Sequence, residues 1–236
     1  MKKFRLTDNK KEVCGKTLYQ IESLIDFGDI HAGDKGGWVE KEENLSQCGD
    51  AWVFGDAWVS GNACVSGNAY ISGNANVSCN AVICDNAWVF GNANVSGNAR
   101  VSGNAWVSGN AWVFGNANVS GNAYIYGNAN VSCNALICGN AWVSGNAKVS
   151  SNAWICGNAN VHEDADILCI SGVGSRLGTI TAFKNKDCKI SITCDYLYET
   201  LNEFAEKVKE THYNNKFAKE YNLLIELIKV YFEVEE

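Results

Sequence analysis

From Ala51 to Ile170 the chain consists of 20 consecutive six-residue units of the form Ala-x-Val/Ile-x-Gly-Asn, without one insertion or deletion. A period this strict means that each unit packs on its neighbours, which is the signature of a solenoid. Within a unit the β-branched residue is stiff at χ1 and favours a strand. Side chains alternate across a strand, so Ala and Val/Ile share the inward side and the two x residues the outward side. Gly-Asn then turns the chain, because Gly, and less readily Asn, accepts the left-handed backbone region that a corner requires. Each unit is therefore one short side and one corner.

Three sides close a triangular coil of 18 residues, and positions one coil apart stack at about 4.8 Å. The slot between Ala and Val/Ile then sorts into three columns. The first reads Trp52, Tyr70, Trp88, Trp106, Tyr124, Trp142 and Asn160. The second reads Trp58, Asn76, Asn94, Trp112, Asn130, Lys148 and Asp166, and the third reads Cys64, Val82, Arg100, Asn118, Leu136 and Trp154. The first is uniformly aromatic over six successive coils, and Phe54, Phe90 and Tyr126 join it from the next outward slot. At roughly 150–250 Å² per ring, these six side chains carry on the order of 1,000 Å². Soluble monomers rarely expose an apolar patch beyond a few hundred Å², so the face is expected to be covered. A second copy of the chain is the expected cover, because symmetric self-association is the usual fate of such a patch. The chain's own terminal segments and a stacking ligand are the alternatives.

The hexads resemble those of the hexapeptide-repeat, left-handed parallel β-helix proteins, the trimeric LpxA-like superfamily. That resemblance implies a mostly β fold with triangular coils. It leaves function open, because the superfamily includes acyltransferases, carbonic anhydrases and proteins without known activity. The stretch LIDFGDIHAGDKGGWVEKEENLSQCGDAWV, residues 24–53, resembles the N-terminal segment of the YdcK-like proteins of enteric bacteria, a group described as transferases. The segments GSRLGTITAFKNKD and LNEFAEKVKETHYNNKFAKEYNLLIELIK are similar to a tail on hexapeptide-repeat proteins of phages and prophages. Neither likeness brings a catalytic residue with it.

Charge and histidine placement narrow the chemistry. Residues 1–50 carry 8 basic and 10 acidic groups, 51–158 carry 2 and 2, and 159–236 carry 9 and 14. So neutral a solenoid lacks the clustered Lys and Arg of a nucleic-acid surface. Acyltransferases of the resembled fold use a histidine base and the carbonic anhydrases three zinc-bound histidines. Here His31 precedes the regular coils, His162 lies at their last turn and His212 lies in the tail. No loop interrupts the coils. The expectation is therefore no catalytic residue, no metal and no cofactor.

The 11 cysteines lack CxxC or Cys-His ligand spacing. Cys138 and Cys156 share a column on adjacent coils, with Cys84 three coils below, and Cys79 and Cys133 share another. The motif NVSCNA at 76–81 and again at 130–135 points to duplication of three whole coils, with the cysteines as small surface or interface residues. The opening MKKFRLTDNKKE lacks the apolar run of a signal peptide, and no segment approaches a membrane span. A cytoplasmic protein with reduced thiols is expected.

Three parts are predicted: an N-terminal cap over 1–50, the β-helix over 51–170, and a C-terminal hairpin plus two-helix domain over 171–236. The strand-like LYQI and the charged GGWVEKEENLSQ suit the first cap. TITAF and CKISITC flank the turn NKD as a hairpin, and Thr200 with Glu203 forms a capping box. Leu201, Phe204, Ala205 and Val208, then Phe217, Tyr221, Leu224, Ile228 and Tyr231, trace two helical apolar stripes. Arg176 in SGVGSRLG reads as a solvated turn residue. The functional expectation is a non-catalytic scaffold or binding protein, homo-oligomeric and phage- or prophage-associated. Its binding or interface residues would be Trp52, Tyr70, Trp88, Trp106, Tyr124 and Trp142. The alternatives are an acyltransferase-like enzyme and a phage factor that captures a host protein or small signal.

Overall fold

A computed structural model describes residues 2–194 and 197–234. Two-residue strands run from β4 (Trp52–Val53) to β22 (Asn160–Val161), one per hexad, and stack into three parallel faces of a β-solenoid of about seven coils. Pairing is in register at 18-residue spacing: Trp88 lies against Tyr70 on one side and Trp106 on the other. The inward Ala, Val and Ile residues are fully buried in one continuous core. Their small, even size lets all three sides meet without gaps.

The corners divide their work between glycine and asparagine. The corner glycines from Gly55 to Gly157 sit at φ between +57° and +71°. Where another residue takes that slot, at Cys79, Asp85, Cys133 and Ser151, it adopts the same region at φ 58–62°. Asparagine does not share that conformation, in contrast to the expectation from sequence. Its side chain instead bonds to the asparagine one coil on. Asn74 Nδ2 donates to Asn92 Oδ1, Asn92 to Asn110, Asn110 to Asn128 and Asn128 to Asn146, each at 3.1 Å. Parallel ladders run up the other two corners, through Asn62 to Asn152 and Asn68 to Asn158. Asn110→Ala, which breaks two exposed rungs, is expected to cost about 1 kcal/mol. For a chain of this size that lowers Tm by about 2–4 °C, measurable by thermal denaturation followed by circular dichroism.

An open solenoid end presents unpaired strand edges, and at each end a flanking segment stands in for the missing coil, by strand pairing or by side chains. At the lower end β1 (Phe4–Val13), β2 (Lys16–Ser23) and β3 (Lys35–Val39) form an antiparallel meander, and β3 joins the solenoid in parallel, Trp38 against Trp58. Gly36 and Gly37 allow this crossing, since a Cβ on either would come within 2.7 Å of the backbone oxygens of Val53 or Ala57. The buried Lys3 ammonium donates to the carbonyls of Gly49 (3.0 Å) and Ala51 (2.8 Å). Burial pulls it down to about 8.

At the upper end the last hexad, Ala165 to Ile170, fits the period but not the solenoid. It enters β23 (Ile167–Val173), which pairs antiparallel with β24 (Gly178–Lys184). Asp166, expected at the top of the second column, lies in a 3-10 turn and pairs with Lys184 at 2.7 Å. With β25 (Ile190–Cys194) and β26 (Leu197–Thr200) these strands make a four-stranded sheet, so the expected hairpin is its middle pair. Phe183 plugs the solenoid core from above. Thr181 Oγ1 accepts from Trp154 N–H at 3.0 Å and Thr193 Oγ1 donates to the Trp154 carbonyl at 2.5 Å, closing the third face.

Helices α1 (Leu201–His212) and α2 (Lys216–Tyr231) cover the other side of that sheet. The Thr200–Glu203 capping box starts α1. In α2 the buried residues are Ala218, Ile225 and Ile228 rather than the full expected stripe, and Tyr231 reaches back to bond the Asp164 and Ile167 carbonyls. Among the described residues no helix is long and apolar enough to cross a membrane.

Candidate functional site

Parallel register brings the six aromatic residues of the first face into one column. Centroids of successive rings from Tyr70 to Trp142 lie 5.2–5.5 Å apart. Trp88 and Trp106 stack with planes 5° apart, and the other contacts are tilted or edge-on. The next outward slot alternates Phe54, Ser72, Phe90, Ser108, Tyr126, Ser144 and His162. Each of its three aromatic rings leans on the ring one coil up: Phe54 on Tyr70, Phe90 on Trp106 and Tyr126 on Trp142. No charged side chain occupies either slot between Trp52 and Trp142.

Because the rings cover one another, Trp88 remains 41% exposed and Trp142 37%. The open apolar area is therefore no more than about a third of the sum of isolated rings. The chain's own ends reach only the ends of the column. Trp52 is 1% exposed, closed in by the edges of Phe4 and Phe27 at 6.3 and 5.4 Å. At the top, Lys186 from the turn between β24 and β25 places its ammonium 4.5 Å over the Trp142 ring. Trp88, Trp106 and Tyr124 lie between these two covers. Trp112, on the second face, is 53% exposed and stacks between Asn94 and Asn130 without aromatic company.

The upper end of the aromatic column is also where polar groups gather. Tyr126, Trp142, Ser144, Asn160, His162 and Lys186 line an open cavity of about 420 Å³. His162 Nδ1 shares a hydrogen bond with Ser144 Oγ at 3.0 Å, and Ser144 itself is buried. The 36-residue spacing of Phe54, Phe90, Tyr126 and His162 was the available sequence signal for this grouping. Lys186 had none, since it arrives on a turn outside the repeat.

The other histidines stand elsewhere. His31 is exposed with Nδ1 3.9 Å from Asp26, and His212 stacks on Tyr221 at 5.2 Å. Arg176 is exposed and, with Lys207 and His212, lines a cavity of about 220 Å³ between the four-stranded sheet and α1. Among the described residues no three of His, Cys, Asp and Glu come together in a way that could hold a metal ion.

Similarity to known proteins follows the solenoid. Residues 93–109 match a repeat family described as the YdcK β-solenoid repeat. Over 62 residues the chain is 32% identical to a protein of Escherichia coli (strain K12) named "Uncharacterized acetyltransferase YdcK". The match takes in 23% of this chain and 19% of that protein, so the chain spans about a fifth of the length of the curated relative it matches. What this chain shares with the matched family is a β-solenoid repeat.

Proposed function

We propose that the chain is a non-catalytic scaffold or binding protein that self-assembles through its aromatic face, a second copy covering Trp88, Trp106, Tyr124 and Trp142. The observation that carries this is the unbroken, partly exposed ring column on a face with no charge in its outward slots. About 300 Å² of open apolar surface suits the core of a standard interface of roughly 800 Å² per partner. Covering it contributes on the order of 10 kcal/mol before association costs. The Asn ladders and the continuous core hold the rings on a rigid frame, so little ordering is needed on contact.

The test is Trp88→Ser combined with Trp106→Ser. Serine already occupies the neighbouring outward slot at Ser72, Ser108 and Ser144, and the inward ladder is untouched. Circular dichroism is expected to stay unchanged while the mass by sedimentation falls from oligomer to monomer. A wild-type chain that is monomeric at tens of micromolar would exclude self-assembly. That result would favour a host protein or small signal on the same face, the role suggested by the tail's resemblance to phage proteins.

A second reading, acyl transfer, draws on the name of the relative and on His162 beside an open cavity. It asks His162 to act as a general base, with Ser144 holding Nδ1. Ser144 is too buried to accept an acyl group itself. An acetyl-CoA-dependent activity that is lost in His162→Ala would establish this reading and overturn the non-catalytic one.

A further inference from the structure

Cys138 and Cys156 occupy the same outward slot of the third face on its last two coils. Their strands pair in register, Leu136 against Trp154 and Ile137 against Ile155, and Cys138 N–H donates to the Ile155 carbonyl at 2.9 Å. In-register parallel strands lie about 4.8 Å apart. That spacing falls within the range of roughly 4.4–6.8 Å that a disulfide spans between Cα atoms. The Cys138 sulfur stands one coil below the Cys156 sulfur in that slot. Trp154 Nε1–H donates to the Cys138 sulfur at 3.3 Å. Cys156 is buried, whereas Cys138 is partly exposed.

No such arrangement surrounds the other stacked cysteines. Cys84 lies three coils lower in the same column and accepts from Arg100 Nη2 at 3.5 Å, but its stacking neighbours are Ser66 and Ser102. Cys79 and Cys133 are three coils apart, about 14 Å, beyond the reach of a disulfide.

We propose that Cys138 and Cys156 form a peroxide-responsive dithiol that closes to a disulfide across the last two coils of the third face. Cys138 is the attacking sulfur. The neighbouring Cys156 thiol, and with it the Trp154 indole, stabilises its thiolate against the cost of burial and holds it below the usual thiol range. The proximity of Cys138, with burial added, pushes Cys156 up, so that it keeps its proton.

The Cys138 thiolate attacks one peroxide oxygen, breaking the O–O bond, and becomes a sulfenic acid as hydroxide leaves and takes a proton to form water. The Cys156 sulfur then attacks the sulfenic sulfur. The S–S bond forms, hydroxide leaves, and the Cys156 proton converts it to a second water. Two electrons have passed from the dithiol to the peroxide. Closing the bond must draw the two Cβ atoms from about 4.8 Å to about 3.8 Å. That strain leaves the disulfide open to reduction by two equivalents of a small thiol, which pass on two electrons and two protons and are themselves joined as a disulfide.

The test treats the full chain with hydrogen peroxide under native conditions and maps its thiols by alkylation and peptide mass. A Cys138–Cys156 cross-link is expected before any other thiol is consumed. Cys156→Ser, a substitution matched by Ser66, Ser102 and Ser120 in the same slot, is expected to accumulate a Cys138 sulfenic acid that dimedone traps. At pH 7 Cys138 is expected to react with iodoacetamide about fivefold faster than Cys84, its larger thiolate fraction outweighing its lower intrinsic nucleophilicity. Equal alkylation of Cys138 and Cys84, or oxidation of other thiols while 138 and 156 stay unlinked, would overturn the proposal. The wild-type mapping decides even if the serine variant fails to fold.

Discussion

Val113→Asp is expected to lower Tm by about 10–20 °C, whereas Trp112→Asp, one residue earlier, is expected to change stability by no more than about 1 kcal/mol. The two side chains leave the same strand in opposite directions: Val113 is fully buried in the core and Trp112 is 53% exposed. A carboxylate at position 113 would meet only Val95 and Val131 in the coils below and above, together with the inward residues of the other two sides. An unpaired buried charge costs about 3–5 kcal/mol or more, a large share of the 5–15 kcal/mol that holds an ordinary domain together. Thermal denaturation of both variants checks the contrast. Equal losses would mean that position 112 is packed as tightly as the core.

The second large effect is expected at a corner. Gly109 has φ +66°, and a Cβ built there lies 2.9 Å from both the backbone nitrogen and oxygen of Gly127. Gly109→Val would put a β-branched residue into the left-handed region, at about 1–2 kcal/mol or more, and would crowd the next coil. A total loss of about 3 kcal/mol is expected, read as a Tm lowered by about 6–12 °C. Gly109→Asn is expected to lose less than half of that, since Cys79, Asp85, Cys133 and Ser151 show that unbranched side chains fit this corner. Indistinguishable Tm values for the two variants would remove the branching argument.

What the sequence made legible is whatever the period controls. Stacking of Trp88 on Trp106 follows from an 18-residue coil, because alternation and in-register pairing leave no other place for those rings. Trp52 obeys the same period yet ends buried, because Phe4 and Phe27 close over it from a meander that the repeat does not describe. Lys186 over Trp142 was hidden for the same reason. The asparagine ladders are hidden for a different reason. A residue that tolerates turns suggests a backbone role, whereas its amide finds its partner only once a second coil lies alongside. At Ala165–Ile170 the pattern continues into a strand that turns away, because the Gly172 and Gly174 turn lets it fold back on Gly178–Lys184 instead of starting another coil. The cysteine column is legible in the sequence, whereas the Trp154 indole meets Cys138 only through the packing of adjacent coils.

Uninterrupted hexads give the molecule a rotational phase. Losing one six-residue unit, such as 111–116, would leave the inner Ala and Val ladder continuous while turning everything beyond it by one side of the triangle. Asn130 would then follow Trp106 on the first face, and Tyr124 and Trp142 would move onto the face that carries Arg100. The four-stranded sheet would turn by one side of the triangle relative to the N-terminal meander. A loss or gain of 18 residues, by contrast, changes the length by one step and leaves every face aligned. Core stability alone would tolerate any multiple of six, so a lineage that must keep its aromatic column can change length only in whole turns. The 54-residue interval between the two copies of NVSCNA is three of them.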